Sequence, residues 1–100
     1  HSSPNEDQLS QEAIGLLVGA ANGYGYIDYD KGTEISTSSF KAGTLYVSPR
    51  DPAKTLHRYD LALSELVRKG YVSLRQGSKR IHDITNSGYE RAARLEDEMK

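Results

Sequence analysis

The fold is decided in the second half of the chain, by the stretch Ala62-Leu63-Ser64-Glu65-Leu66-Val67-Arg68-Lys69-Gly70-Tyr71-Val72. Its apolar residues recur at helical spacing as far as Lys69, and Gly70 then interrupts the pattern. Glycine readily adopts the left-handed conformation in which many helices end, and Val72 can then point back into the core from a strand. The stretch therefore predicts the end of a helix followed directly by a strand.

Upstream of this stretch, the sequence predicts that the helix covers residues 51–69. Asp51 has a side chain suited to an N-cap, and Pro52 fits the first helical position because its missing N–H needs no partner there. A helical wheel places the apolar residues on one face, with Leu61 on the opposite, charged side. We therefore expect an amphipathic helix that presents one leucine to solvent.

Downstream, two short strands are predicted at 71–74 and 80–84, joined by a polar loop with Gly77 at its centre. The alternation of Val72 and Leu74, and of His82 and Ile84, gives this hairpin one face that can cover a core. Ser87 and Glu90 then have the spacing of a capping box, which predicts a last helix with Ser87 as its N-cap.

The first half of the chain predicts a helix at 7–21, with Leu9 as its first core residue and with Gly15 and Gly19 weakening it or permitting a close neighbour. Residues 24–47 are rich in Tyr, Ser, Thr and Gly and predict strands at 24–29, 34–38 and 44–47. For 38–42 a short helical turn is an equal alternative. We expect residues 1–6 to be a tag remnant or a linker and the folded domain to cover 7–100.

This second half resembles the winged-helix superfamily, in particular MarR-type and PadR-type regulators and winged-helix-like modules of longer bacterial proteins. The resemblance lies in the stretch from Ala62 to Val72, the basic hairpin, and the turn Ile84-Thr85-Asn86-Ser87-Gly88-Tyr89. It implies an α+β, winged-helix-like fold with three helices, a hairpin wing and an additional small strand region between helices one and two. Residues 24–47 depart from the family pattern, which has a short helix of the helix-turn-helix before the recognition helix.

Charge is unevenly distributed along the 100 residues. The total is −1, yet residues 50–80 hold eight basic and three acidic side chains, a net of +5, so the rest carries −6. The resemblance and this segment together predict that duplex DNA binds to the outer face of helix 51–69 and to wing residues 75–80. The candidate DNA-binding residues are Lys54, His57, Arg58, Arg68, Arg75, Lys79 and Arg80.

The alternative is a protein interaction or dimerisation module with a degenerate helix-turn-helix, which contacts a second copy or the remainder of a longer protein. Its candidate interface residues are Leu61, Tyr24 and Tyr26, because an apolar residue on a polar face and tyrosines at a sheet rim both suit interfaces.

Catalysis is the weakest interpretation of this sequence. His57 and His82 stand alone, and neighbouring residues His82 and Asp83 on a strand point to opposite faces. The absence of Cys excludes disulfides and thiolate zinc sites, and no cofactor or metal is expected. With no run of about 20 apolar residues, we expect no membrane contact and a cytoplasmic location.

Overall fold

The computed structural model describes residues 8–99, so the predicted tag or linker at 1–6 lies outside the described residues. Within this range the chain forms an α+β domain, which confirms the predicted class. Its elements are, in chain order, α1 (Gln11–Ala21), β1 (Tyr26–Asp30), a 3-10 turn (Ile35–Thr37), β2 (Ser39–Ala42), β3 (Leu45–Val47), α2 (Ala53–Arg68), β4 (Val72–Leu74), β5 (Ile81–Ile84) and α3 (Asn86–Glu98). None of these helices is long and apolar enough to cross a bilayer.

All five strands belong to one antiparallel sheet, in the order β3-β2-β1-β5-β4. The hairpin β4–β5 is joined to the first half of the chain by β1, in which Ile27 lies opposite His82 and Asp28 opposite Ile81. A second hairpin, β2–β3, continues the sheet on the other side of β1. The strands between helices one and two are therefore not a separate region but half of a common sheet.

The helices cover one face of this sheet. The buried strand residues share that face by strand alternation and register: Ile27, Phe40, Ala42, Val47, Val72 and Ile84. They pack against buried residues of α1 such as Leu16 and Leu17, and against Leu56 and Leu66 of α2. Leu9 is also buried, as predicted.

The opposite face of the sheet carries no helix, and none of its residues is buried. It presents polar and aromatic side chains: Tyr26, Asp28, Asp30, Ser39, Lys41, Tyr46, Ser73, Ile81 and Asp83. The domain thus has two layers, with helices on one side of the sheet and an open face on the other.

The glycines of α1 permit a close approach between this helix and the turn that joins β2 to β3. A Cβ atom on Gly19 would lie 2.6 Å from the carbonyl oxygen of Ala42, and one on Gly43 would lie 2.3 Å from the carbonyl oxygen of Gly19. Gly43 also has a φ of +63°, which favours glycine. The close neighbour suggested for Gly19 is therefore the backbone of the second hairpin.

Three local predictions are wrong. Residues 34–38 form a 3-10 turn rather than a strand, because the buried hydroxyl of Ser38 donates to the carbonyl oxygen of Glu34 and accepts from the N–H of Gly32. Residues 39–42 are the strand instead, which decides between the alternatives left open for 38–42.

The other two errors concern helix starts. The side chain of Asp51 accepts a hydrogen bond from the backbone N–H of Ser48, so it closes the preceding turn, and α2 begins at Ala53 after Pro52. The N-cap of α3 is Thr85, whose hydroxyl accepts from the N–H of Gly88, while Ser87 lies inside the helix.

Candidate functional site

The outer face of α2 presents a stripe of exposed side chains at alternating spacings of three and four residues. Its members are Lys54, His57, Leu61, Ser64 and Arg68, and we call them the α2 stripe. Because residues spaced in this way lie along one side of a helix, the five side chains form a continuous row. Leu61 lies at its centre with 70% of its surface exposed, as the wheel predicts.

The row contains cations and no carboxylate. Lys54 and Arg68 form no ion pair with any of residues 8–99, and they flank Leu61 at seven positions on either side. Arg58 lies beside the row, as does Glu65, whose carboxylate accepts a hydrogen bond of 3.1 Å from the hydroxyl of Ser10. The α2 stripe is therefore an apolar centre between two positive ends.

Two grooves run beside the stripe. The first, of about 330 Å³, separates α2 from the start of α1 and is lined by Ser10, Glu12, Arg58, Leu61, Ala62, Glu65 and Arg68. Its two arginines face two glutamates, so its charges balance. This groove is consequently less positive than the stripe itself.

The second groove, of about 380 Å³, separates α2 from β1 and β5, and Ser64, Val67, Arg68, Lys31 and His82 are among its lining residues. Its carboxylate, Asp60, accepts a hydrogen bond of 3.2 Å from the hydroxyl of Tyr29. Burial and the nearby Asp60 raise the pKa of Tyr29, so this hydroxyl keeps its proton at neutral pH. Burial also lowers the pKa of His82.

At the hairpin, two of the predicted DNA-binding arginines form bidentate ion pairs. Arg75 donates to both oxygens of Asp83 at 3.0 and 2.7 Å, and this interaction lowers the pKa of Asp83. Arg80 donates to both oxygens of Asp28 at 2.9 and 3.0 Å and lies 4.0 Å from Asp30. Lys79 is exposed and forms no ion pair with the described residues.

These pairs change the interpretation of the +5 segment. The three carboxylates come from β1 and β5, outside residues 50–80, and they offset the three cations of the hairpin. Sequence reasoning missed them because only the pairing of β1 with β5 brings Asp28 beside Arg80. The local charge of the hairpin is therefore close to neutral.

The predicted residues are divided between two sides of the sheet. Lys54, His57, Arg58, Leu61 and Arg68 lie on α2, on the side covered by helices. Arg75 and Arg80 reach carboxylates of the open face, and the guanidinium of Arg75 also lies 5.4 Å from the ring centroid of Tyr26. The two groups do not converge on one point.

The predicted interface tyrosines lie near the open face. Tyr24 and Tyr26 stack with ring centroids 6.0 Å apart, and Tyr24 is 76% exposed. Tyr26 is half-buried beneath Arg75 and faces Asp83 across the strands. These rings are separate from Leu61, so the structure divides the predicted interface residues as well.

The histidines lie apart from each other. His57 is exposed on the α2 stripe, and His82 is half-buried with its Nδ1 atom lacking a hydrogen-bond partner. Within the part of the chain that the structure describes, no three His, Asp or Glu side chains are grouped so that they could hold a metal ion. No acid, base and nucleophile converge in either groove beside α2 in the way that catalysis would require.

Ser64 and Val67 were not among the predicted site residues. Val67 was assigned to the core face, yet it is 44% exposed beside the second groove. The spacing of residues around Leu61 was the available signal for Ser64. Comparison with protein-family models, with curated proteins and with solved structures finds no match to this chain.

Proposed function

We propose that this chain is a non-catalytic protein-interaction module of winged-helix type, which binds its partner through the α2 stripe. The observation that carries this proposal is Leu61, a leucine 70% exposed at the centre of a row of polar and charged side chains. A large apolar side chain in such a row suits the buried centre of an interface, surrounded by a polar rim.

The winged-helix part of the proposal is supported by the order of the elements. A helix, α1, and a strand, β1, precede α2, and the hairpin β4–β5 follows it with β1 paired to β5. Between β1 and α2 the chain forms β2 and β3, where the resemblance implies the short helix of a helix-turn-helix. That replacement favours a role other than insertion into a DNA groove, because this helix normally crosses the phosphate backbone.

Duplex DNA is the second candidate. It is favoured by the cations that no described carboxylate pairs with, namely Lys54, Arg58, Arg68 and Lys79. It is disfavoured by the neutral hairpin, since Arg75 and Arg80 would need to leave Asp83 and Asp28 before contacting phosphates. A phosphate-binding surface must supply several free cations at once.

The test places a photo-crosslinking amino acid at position 61 of the full-length protein in its own cells. We expect adducts with a protein, whose affinity for the purified domain is then measured. Leu61→Asp should weaken that affinity at least tenfold, as expected for the centre of an interface. Leu74→Asp is the matched control, since Leu74 is also exposed but lies on the hairpin.

Two results would overturn the proposal. One is the absence of protein adducts at position 61 beyond those formed from position 79 at the tip of the hairpin. The other is strong, salt-sensitive binding of duplex DNA that is lost in the Arg58→Ala/Arg68→Ala variant, which would establish the second candidate instead.

A further inference from the structure

Resting on the proposed function, we infer that the partner of the α2 stripe is an acidic amphipathic helix with an apolar residue at its centre. The spacing of the stripe carries the first step. Lys54, Leu61 and Arg68 are each separated by seven positions, which is the repeat that a second helix packed at a small angle can follow. The row is about 20 Å long at 1.5 Å per residue, enough to contact roughly four turns of a partner helix.

Charge decides the chemistry of that partner. The row ends in two cations that form no ion pair with the described residues, and Arg58 adds a third beside it. The carboxylates nearest to it, Glu65 and Asp60, already accept hydrogen bonds from Ser10 and Tyr29. A partner with carboxylates opposite Lys54 and Arg68 would therefore gain two attractions without displacing an existing ion pair.

Apolar contact decides its centre. Leu61 projects between the two grooves, and exposed Val67 lies at the edge of the second. A leucine of the partner placed beside Leu61 would remove both side chains from water. The complementary pattern is an acidic residue, six positions, a leucine, six positions and a second acidic residue. Because the stripe is symmetric about Leu61, this pattern fits in either direction.

A second copy of this chain is a poorer occupant. Antiparallel pairing of two α2 stripes on Leu61 would place Lys54 opposite Arg68 at both ends, and parallel pairing would place each cation opposite itself. In the antiparallel case Arg58 would approach Glu65 at the rim, where exposed pairs contribute little. Like charges at both ends of the row therefore oppose self-association and leave an acidic partner as the better complement.

The experiment uses a synthetic helical peptide of about 20 residues, alanine-rich and labelled for fluorescence anisotropy, with one leucine flanked at seven positions by glutamates. A matched peptide carries lysines in place of these glutamates. We expect the acidic peptide to bind the domain at least about tenfold more tightly than the lysine peptide, with an affinity that falls as salt is added. Lys54→Glu/Arg68→Glu should reverse that preference.

Lys41→Glu/Lys79→Glu is the matched control, because it reverses two exposed charges away from α2 and should preserve the preference for the acidic peptide. The inference is overturned if Lys54→Glu/Arg68→Glu binds the acidic peptide as the parent does. It is also overturned if the parent self-associates through Leu61, or if duplex DNA displaces the peptide at equal concentration.

The same measurements separate this inference from the proposed function. Equal binding of both peptides, lost in Leu61→Asp, would reject the acidic partner and leave the α2 stripe as a protein-binding surface. No binding of either peptide would reject the acidic helix, while a protein adduct at position 61 would still support the interaction module. Loss of both signals would reject the two together.

Discussion

The side-chain hydroxyl of Thr85 donates a hydrogen bond of 2.7 Å to the backbone carbonyl of Gly70. The same oxygen accepts a bond of 3.0 Å from the N–H of Gly88, and the backbone N–H of Thr85 donates to the carbonyl of Tyr71. One residue thus caps α3 and attaches its start to the segment that follows α2. The position of α2 relative to the last helix depends on this junction.

Removing the Thr85 hydroxyl should destabilise the domain measurably. Thr85→Ala loses both an N-cap bond and a tertiary bond, so we expect the free energy of unfolding to fall by about 2 kcal/mol. Urea unfolding followed by circular dichroism measures this change. Ser87→Ala is the control, since Ser87 is exposed within the first turn of α3, and it should cost less than about 0.5 kcal/mol. Equal losses in both variants would contradict Thr85 as the cap.

Two glycines at the same junction should respond differently to alanine. Gly70 has a φ of +81° but open space around it, so Gly70→Ala should cost about 1 kcal/mol, from backbone strain alone. Gly88 has no such φ, yet a Cβ there would lie 2.1 Å from the carbonyl oxygen of Tyr71 and 2.8 Å from the side chain of Ile84. Gly88→Ala should therefore cost more, about 3 kcal/mol.

The comparison is made by thermal and urea unfolding of the two variants beside the parent. A loss that is larger for Gly70→Ala than for Gly88→Ala would mean that α3 can move away from Tyr71 without cost. In that case the contact between α3 and the loop after α2 would not fix the last helix.

Sequence patterns predicted the elements whose signals are local. The apolar period of α2, the left-handed Gly70 and the glycine-centred hairpin are each determined within a few residues, and all three are present in the structure. The exposure of Leu61 follows from the same period. This part of the candidate site could be predicted without knowing the tertiary structure.

The remainder depended on contacts distant in sequence. Thr85 and Ser87 are both suitable caps by residue type, and the carbonyl of Gly70 gives Thr85 an additional partner. The pairing of β1 with β5 joins Asp28 to Arg80 across 52 positions, which no local pattern encodes. Whether the hairpin arginines are free or paired was consequently beyond what composition and periodicity could decide.

The hairpin carboxylates should suppress binding to polyanions. Asp28→Asn/Asp83→Asn removes the ionised partners of Arg80 and Arg75, so the variant presents both arginines as free cations. We expect it to bind a duplex DNA probe more tightly than the parent at low salt, with a steeper dependence of affinity on salt by up to about two phosphate contacts. Fluorescence anisotropy over a salt series measures both quantities.

Its control is Asp97→Asn, which removes one carboxylate at the far end of α3 and should change DNA affinity only slightly. If the double variant and the parent have the same affinity and the same salt slope, the ion pairs do not govern access of phosphates to the hairpin.

His82 should make the stability of the domain depend on pH between neutrality and pH 5. Burial lowers its pKa below the ordinary value of 6.5, so the unfolded chain takes up a proton at a higher pH than the folded domain does. Protonation therefore favours unfolding, and the contribution is fully present above pH 6.5 and is lost as the pH falls. Urea unfolding at several pH values should show this decline in the parent and a smaller one in His82→Gln. His57→Gln, at an exposed position, is the matched control and should follow the parent. The scan stops at pH 5 because Asp83, whose pKa is lowered by its hydrogen bond with Arg75, contributes its own loss only at lower pH. An unchanged decline in His82→Gln would assign the effect to another group.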